Sequence, residues 1–234
     1  PNVSVTINIS IVEQYLDELK YNWNGTNFTL MNDSLVLLMN FDNRSALGEN
    51  DTLVADVSGN SNNGTAVNGV RVNTTSNCKY GNCMSFDGIN DQVNVNVSGN
   101  SVLNFGGTQF TVGAWFNLKQ PENGGGDSTG NAILSQRNAC NTRNIQLYAF
   151  VAGFGCGING HSTFSFFNQT ADTQICSIRA PQNNTWTYLV GTYNSTHLSL
   201  YLNGVLDNIT VAGGTIQDAN VNLTIGGDTC NNYF

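Results

Sequence analysis

Residues 184–207, NTWTYLVGTYNSTHLSLYLNGVLD, carry two period-two alternations in succession. Trp186, Tyr188, Val190 and Thr192 stand out of phase with Thr187, Leu189, Gly191 and Tyr193; after the polar Asn194-Ser195-Thr196 comes the series Leu198, Leu200, Leu202. Successive side chains of a strand point to opposite faces, so the pattern predicts a β-hairpin with a polar tip. Asn203-Gly204 accepts positive φ at a tight turn, and Val205 opens a third strand. Three consecutive antiparallel strands with one apolar face must bury it against a second sheet. The expected fold class is all-β, a two-sheet antiparallel sandwich.

Working outward, three further stretches combine with this one. Phe110 to Leu118 alternates around Trp115-Phe116. Met84-Ser85-Phe86-Asp87-Gly88-Ile89-Asn90-Asp91-Gln92-Val93 joins a turn to a strand, and Asp56-Val57-Ser58-Gly59-Asn60-Ser61-Asn62-Asn63-Gly64 is a polar loop. In this order, over about Ser34 to Phe234, the four motifs resemble the laminin-G-like (concanavalin A-like) jelly-roll family. Trp186, Leu189, Thr192, Tyr193, Leu200, Tyr201, Leu202, Asn203 and Gly204 stand where its Trp-x-x-Val-x-x-Thr-Tyr and Leu-x-Leu-Tyr-Val-Asn-Gly pattern puts them. The resemblance implies a jelly roll and a habit of binding, since the family spans lectins, adhesion modules and a few catalytic relatives. It also implies a closing strand after Ile225-Gly226-Gly227. No such strand lies among the residues to Phe234, which would leave a sheet edge exposed. The Asn-rich composition and the lead-in from Tyr21-Asn22-Trp23-Asn24-Gly25-Thr26 to Asp42 are similar to laminin-G-like surface proteins of archaea.

The jelly roll is expected over residues 34–234, and residues 1–33 form an arm or the end of a preceding module. Val3, Val5, Ile7, Ile9 and Ile11 alternate with Asn2, Ser4, Thr6, Asn8 and Ser10, a strand pattern without fault. Ile11, Tyr15, Leu16 and Leu19 then follow a helical spacing, so a short helix is expected over Val12–Lys20. Leu35 to Phe41 is a nearly continuous apolar run and reads as a strand covered on both faces. Ala132–Gln136, Gln146–Ala152, Ser162–Phe167 and Ile175–Arg179 read as further strands, and Pro121 to Gly130 as a Gly-rich loop. The Asn2–Ile11 strand has the shape to add to an exposed edge of a neighbouring copy.

A net charge of −8 with only eight Lys and Arg, scattered along the chain, argues against a nucleic-acid partner. No run of about 20 apolar residues is present. A start at Pro1 without a leader reads as a processed protein or a fragment of a longer one. Acceptor sequons stand at Asn2, Asn8, Asn24, Asn27, Asn32, Asn43, Asn50, Asn63, Asn73, Asn96, Asn168, Asn183, Asn194, Asn208 and Asn222, fifteen in all. The Asn, Ser and Thr content alone would produce about 6. Alternation places Asn96, Asn208 and Asn222 on the polar faces of their strands, with the flanking Val, Leu and Ile on the buried faces. Six cysteines, Cys78, Cys83, Cys140, Cys156, Cys176 and Cys230, suit disulfides in an oxidising, extracellular compartment. Cys78–Cys83 and Cys140–Cys156 could close hairpins, leaving Cys176 for Cys230, among fifteen full pairings. Zinc is disfavoured because there is no Cys-x-x-Cys and His161 and His197 stand apart.

Three kinds of site are open to a chain of this composition. Glycoside hydrolysis needs two carboxylates facing one groove, and no Glu-x-Asp-x-x-Glu strand is present. Glu13, Asp17 and Glu18 come nearest, but at helical spacing outside the sandwich. No nucleophile elbow or phosphate loop occurs either, so the chain reads as non-catalytic. Calcium, a hard cation, is expected at Asp56 and Asn60 in one loop and Asp87 and Asp91 in another, against the plainer reading of Asx-turns. Phe164, Phe166 and Phe167 beside His161 form either a sugar platform or ordinary core. The expected function is that of a heavily N-glycosylated cell-surface module for adhesion or for recognition of a glycan or surface protein. The alternative is a structural subunit of an extracellular filament or sheath, contacting copies of itself by strand addition.

Overall fold

The computed structural model describes residues 18–32, 34–73, 77–97, 103, 107–119, 130–139, 142–151, 160–168, 170–216 and 220–234. The strands are numbered in chain order. An eight-stranded sheet runs β12 (Asp172–Cys176), β11 (His161–Phe167), β10 (Thr142–Val151), β9 (Gly130–Ala139), β16 (Leu223–Ile225), β7 (Gln92–Val95), β4 (Gly64–Val67), β3 (Leu53–Val54). A four-stranded sheet runs β15 (Val205–Val211), β14 (His197–Leu202), β13 (Trp186–Asn194), β8 (Gln109–Asn117). Two further hairpins pair β1 (Glu18–Trp23) with β2 (Thr26–Asn32), and β5 (Arg71–Asn73) with β6 (Cys83–Ser85). Every pairing is antiparallel, as a jelly-roll sandwich requires.

The stretch 184–207 forms β13, β14 and the start of β15, with Leu189↔Leu202 and Tyr193↔Leu198 in register. Asn203 (φ 53°) and Gly204 (φ 80°) make the turn, whose backbone twist matches that of the strands it joins. Leu189, Tyr193, Leu198 and Leu200 face Ile145, Leu147, Phe164 and Phe166 of the larger sheet in one continuous core. Burying each of the two Phe rings contributes about 1.5–3 kcal/mol. Gly191 is what lets the sheets close, because a Cβ there would lie 2.3 Å from Phe164 Cγ. Phe164 and Phe166 are 0% exposed, so of the two readings of that cluster the structure selects core.

The structure corrects three local expectations. The expected helix over Val12–Lys20 does not form at its end, since Glu18, Leu19 and Lys20 lie in β1. Asn24-Gly25 (φ 51° and 80°) folds that strand onto β2, so turn chemistry outweighs the helical spacing. Residues 2–11 and 12–17 lie outside the described residues. Leu35–Phe41 packs Val36, Leu37 and Met39 against the core but joins no ladder among the described residues. Its backbone is met instead by side chains of the Asp56 loop. Finally, β15 is turned over relative to expectation: Ile209 and Val211 are 51% and 80% exposed. Asn208 is half-buried and donates Nδ2 to the Cys176 carbonyl at 2.8 Å.

The segment after β16 is fastened by Asp228. Its carboxylate meets the Arg137 guanidinium at 2.8 Å and accepts bonds from the Tyr148 hydroxyl, Asn232 Nδ2 and the amides of Cys230 and Asn232. Asp228 and Arg137 are both buried. Burial and the adjacent Asp228 charge push the Tyr148 phenol far above its ordinary range, so it stays a donor.

Candidate functional site

The Asp56 loop turns out to be a clamp. Asp56 Oδ1 accepts from the amides of Leu38 and Ser58 at 2.9 Å, and Oδ2 from Ser58 Oγ at 2.8 Å and the Asn62 amide at 2.9 Å. Asn60 Nδ2 donates to the Leu35 carbonyl at 2.8 Å and Asn62 Nδ2 to that of Val36 at 2.7 Å. These are the bonds that hold the Leu35–Leu38 run without a ladder. In the second loop, Asp87 Oδ1 caps the Ile89 amide at 2.8 Å, and Asp91 Oδ2 accepts from the Asp87 amide at 3.0 Å. Asp91 Oδ1 is buried without a partner. Burial, then the Asp87 charge, push the Asp91 carboxyl above its usual range, against a smaller pull from the Asp87 amide and Arg71. Calcium takes six to eight oxygens. Asp56 has its oxygens bound to the loop, and the 87–91 turn leaves only Asp87 Oδ2 and Asp91 Oδ1 unspent, so Asp56, Asn60, Asp87 and Asp91 do not fit that ion as they stand. Among the described residues no group of three or more His, Cys, Asp or Glu is placed to hold a metal.

Cys78 and Cys83 are bonded to each other, and Cys176 and Cys230 are each in a disulfide; Cys140 and Cys156 lie outside the described residues. Of the sequon asparagines, Asn24, Asn27, Asn43, Asn50, Asn63, Asn96, Asn183, Asn194 and Asn222 are exposed. Asn73, Asn168 and Asn208 are half-buried, with Asn168 Nδ2 donating to the Gly213 carbonyl at 3.0 Å. Asn2 and Asn8 lie outside the described residues. His161 sits with Nδ1 2.6 Å from the Ser177 carbonyl, against the sheet.

The densest exposed chemistry lies where the disulfide hairpin meets β8. Alternation sends Phe116 into the core and Trp115 outward, where it is 39% exposed. Register places Tyr188 of β13 directly opposite Trp115, and their rings stack at 5.1 Å with 26° between planes. The Cys78–Cys83 loop brings Tyr80 edge-on to Trp115 at 6.1 Å, and sets the Lys79 ammonium 4.6 Å from the Trp115 ring centre. That loop is itself pinned, because Asn82 donates its amide to Asp42 Oδ1 at 2.9 Å and its Nδ2 to the Asp42 carbonyl. Trp186 Nε1 bonds the Asn77 carbonyl at 2.9 Å. Trp115 and Trp186 stand at the rim of a cleft of about 890 Å³ that runs between β6 and β8. Asn117 and Asn131 line it and each has a buried amide oxygen without a partner. The aromatic platform escapes sequence reasoning, since Tyr80 and Tyr188 are more than 100 residues apart and only the fold makes them neighbours of one ring. The faint signal was Trp115 alternating with a core Phe.

Residues 87–234 match the model of the concanavalin A-like lectin/glucanases superfamily, laminin G type. A search of curated proteins finds no match. Among solved structures, domain 4 of the extracellular GH43 arabinanase AbnA from Geobacillus stearothermophilus, in complex with arabinotriose, is similar at TM-score 0.51 and 14% identity. The match covers 74% of this chain and 77% of that one. A mutant of HCR/D is similar at TM-score 0.55 and 14% identity, over 86% of this chain but 45% of that one. Domains LG4-5 of the mouse laminin alpha1 chain align over 55% of this chain and 31% of that one, at 12% identity and TM-score 0.39.

Proposed function

The chain belongs to the concanavalin A-like lectin/glucanases superfamily, and we propose that it is a non-catalytic recognition module of an extracellular glycoprotein, taking a carbohydrate on the platform of Trp115, Tyr188 and Tyr80. The observation that carries this reading is the stacked Trp115–Tyr188 pair, with Trp115 exposed beside a cleft. A sugar offers C–H faces to a ring, which is what an exposed stacked pair receives. The arabinotriose held by the arabinanase domain supports a saccharide ligand on this fold. The non-catalytic part is supported by three carboxylates that are engaged in holding loops: Glu49 with the amides of Arg44 and Ala55, Asp207 with Arg179, Asp228 with Arg137. An extracellular site is supported by the Cys78–Cys83 disulfide, and N-glycosylation by the nine exposed acceptors. The test is a glycan array, arabinotriose included, followed by calorimetry on the best ligand. Wild type should retain a saccharide that Trp115→Ala loses at unchanged melting temperature. An empty array, or equal retention by Trp115→Ala, refutes it.

A second reading, the structural subunit of a filament or sheath assembled by strand addition, is favoured by β15. Among the described residues it is an edge strand, on which Val205, Leu206, Ile209 and Val211 are 58%, 48%, 51% and 80% exposed. An apolar edge of this kind is a template for pairing. Light scattering and electron microscopy should then show assemblies that Ile209→Lys disperses; a monomer at high concentration would exclude this reading.

A further inference from the structure

Resting on the platform reading, we infer that the saccharide taken at Trp115 is an anionic one, bearing a carboxylate or a sulfate, and that Lys79 is the residue that selects it.

Composition makes a cation at this place unusual. The chain carries a net charge of −8 and only three lysines, Lys20, Lys79 and Lys119. Two of the three come to one place: Lys79 lies against the platform rings, and Lys119 lines the cleft beside them. The one acidic side chain among the described residues of that lining is Asp87, whose Oδ1 is taken by the Ile89 amide at 2.8 Å. A positive spot on an otherwise acidic molecule favours an anion there and discourages one elsewhere on the surface.

Lys79 is carried on a fastened loop. It stands inside the ring closed by the Cys78–Cys83 disulfide. On one side of it the Asn77 carbonyl accepts from Trp186 Nε1 at 2.9 Å, and on the other Asn82 donates its amide and Nδ2 to Asp42. The ammonium is thereby set 4.6 Å from the Trp115 ring centre and 5.5 Å from that of Tyr80. Those two rings meet at 83°, so one cation is shared by two nearly perpendicular aromatic walls. Ring faces attract an ammonium without giving it an oxygen acceptor. Its N–H donors can therefore turn to a carboxylate or sulfate on a sugar laid against the same rings. Were Lys79 only a brace for the loop, its loss would lower the melting temperature and leave the choice between neutral and anionic sugars unchanged, which separates the two roles.

The test is a glycan array probed with the full chain, in which gluco-, galacto- and manno-oligosaccharides are each present in neutral, uronate and sulfated form. Wild type should retain a uronate or a sulfated form about three- to fivefold more strongly than its neutral counterpart, the size of effect of one exposed ion pair, and high salt should erase the difference. The two anionic arms tell carboxylate from sulfate. Lys79→Met should bring the ratio to about one, while Lys79→Arg, which keeps the charge, should preserve it. Neutral forms retained by wild type as strongly as anionic ones, with Trp115→Ala losing both, would overturn the inference and leave the platform standing. A preference that survives in Lys79→Met would overturn the role given to Lys79. An array empty of every form refutes the platform reading and the charge preference with it.

Discussion

Replacing Asp228 with alanine should be the most damaging single change to the described fold outside the apolar core. Asp228 and Arg137 have side chains 0% and 4% exposed, and their 2.8 Å ion pair lies under the segment that follows β16. Removing the carboxylate takes the Asp228 charge away from a buried guanidinium. It also takes the acceptor from the Tyr148 O–H, which keeps only the bonds it receives from Gln146 and Arg137, and from Asn232 Nδ2. Breaking a buried pair from one side costs about 3–5 kcal/mol. For a chain of this size each kcal/mol lowers the melting temperature by about 2–4 °C, so a fall of roughly 6–20 °C is expected by circular dichroism. Arg137→Met in the same molecule should recover part of the loss, because the buried charge is then gone. A melting temperature within about 2 °C of wild type for Asp228→Ala, or a double variant less stable than the single one, would refute the assignment of Asp228 as the anchor.

Other substitutions test the remaining pieces. Asp56→Ala removes the acceptor of three amides and one hydroxyl and should cost about 1.5–3 kcal/mol in urea unfolding. Millimolar calcium should leave the wild-type melting curve unmoved, and a calcium-dependent rise would overturn the clamp reading. The Asp91 carboxyl is raised above the 3.8 of the unfolded chain, so its contribution is fully present below that pH and is lost as pH rises through the folded value. The drop in urea midpoint on raising pH from about 3 to 7 should therefore be smaller in Asp91→Asn than in wild type, and an identical slope would refute it. Tyr148 is likewise raised above 10.0, so stability should fall as pH climbs past that value, and Tyr148→Phe should lack that fall. Gly191→Ala forces a methyl onto Phe164 and should cost about 1–3 kcal/mol or more by thermal melting; an unchanged curve would mean the sheets part freely.

Sequence alone determined the sandwich, the hairpin at 184–207 and its Asn-Gly turn, because these rest on period-two alternation and on residues that tolerate positive φ, both local properties. It also exposed the sequons and the Cys78–Cys83 loop. It did not determine which face of β15 is wet, since Ile209 and Val211 alternate with Asn208 and Thr210 whichever side meets the other sheet. Nor did it show that Asp56 and its neighbours clamp Leu35–Leu38, since an Asp- and Asn-rich loop has the same composition whether its oxygens meet a cation or backbone amides. These points emerge once the chain is folded, as do the Arg137–Asp228 anchor between residues 91 apart and the Trp115 platform. The physical reason is that burial and hydrogen-bond partnership belong to pairs of distant groups, whereas alternation and turn preference belong to neighbours along the chain.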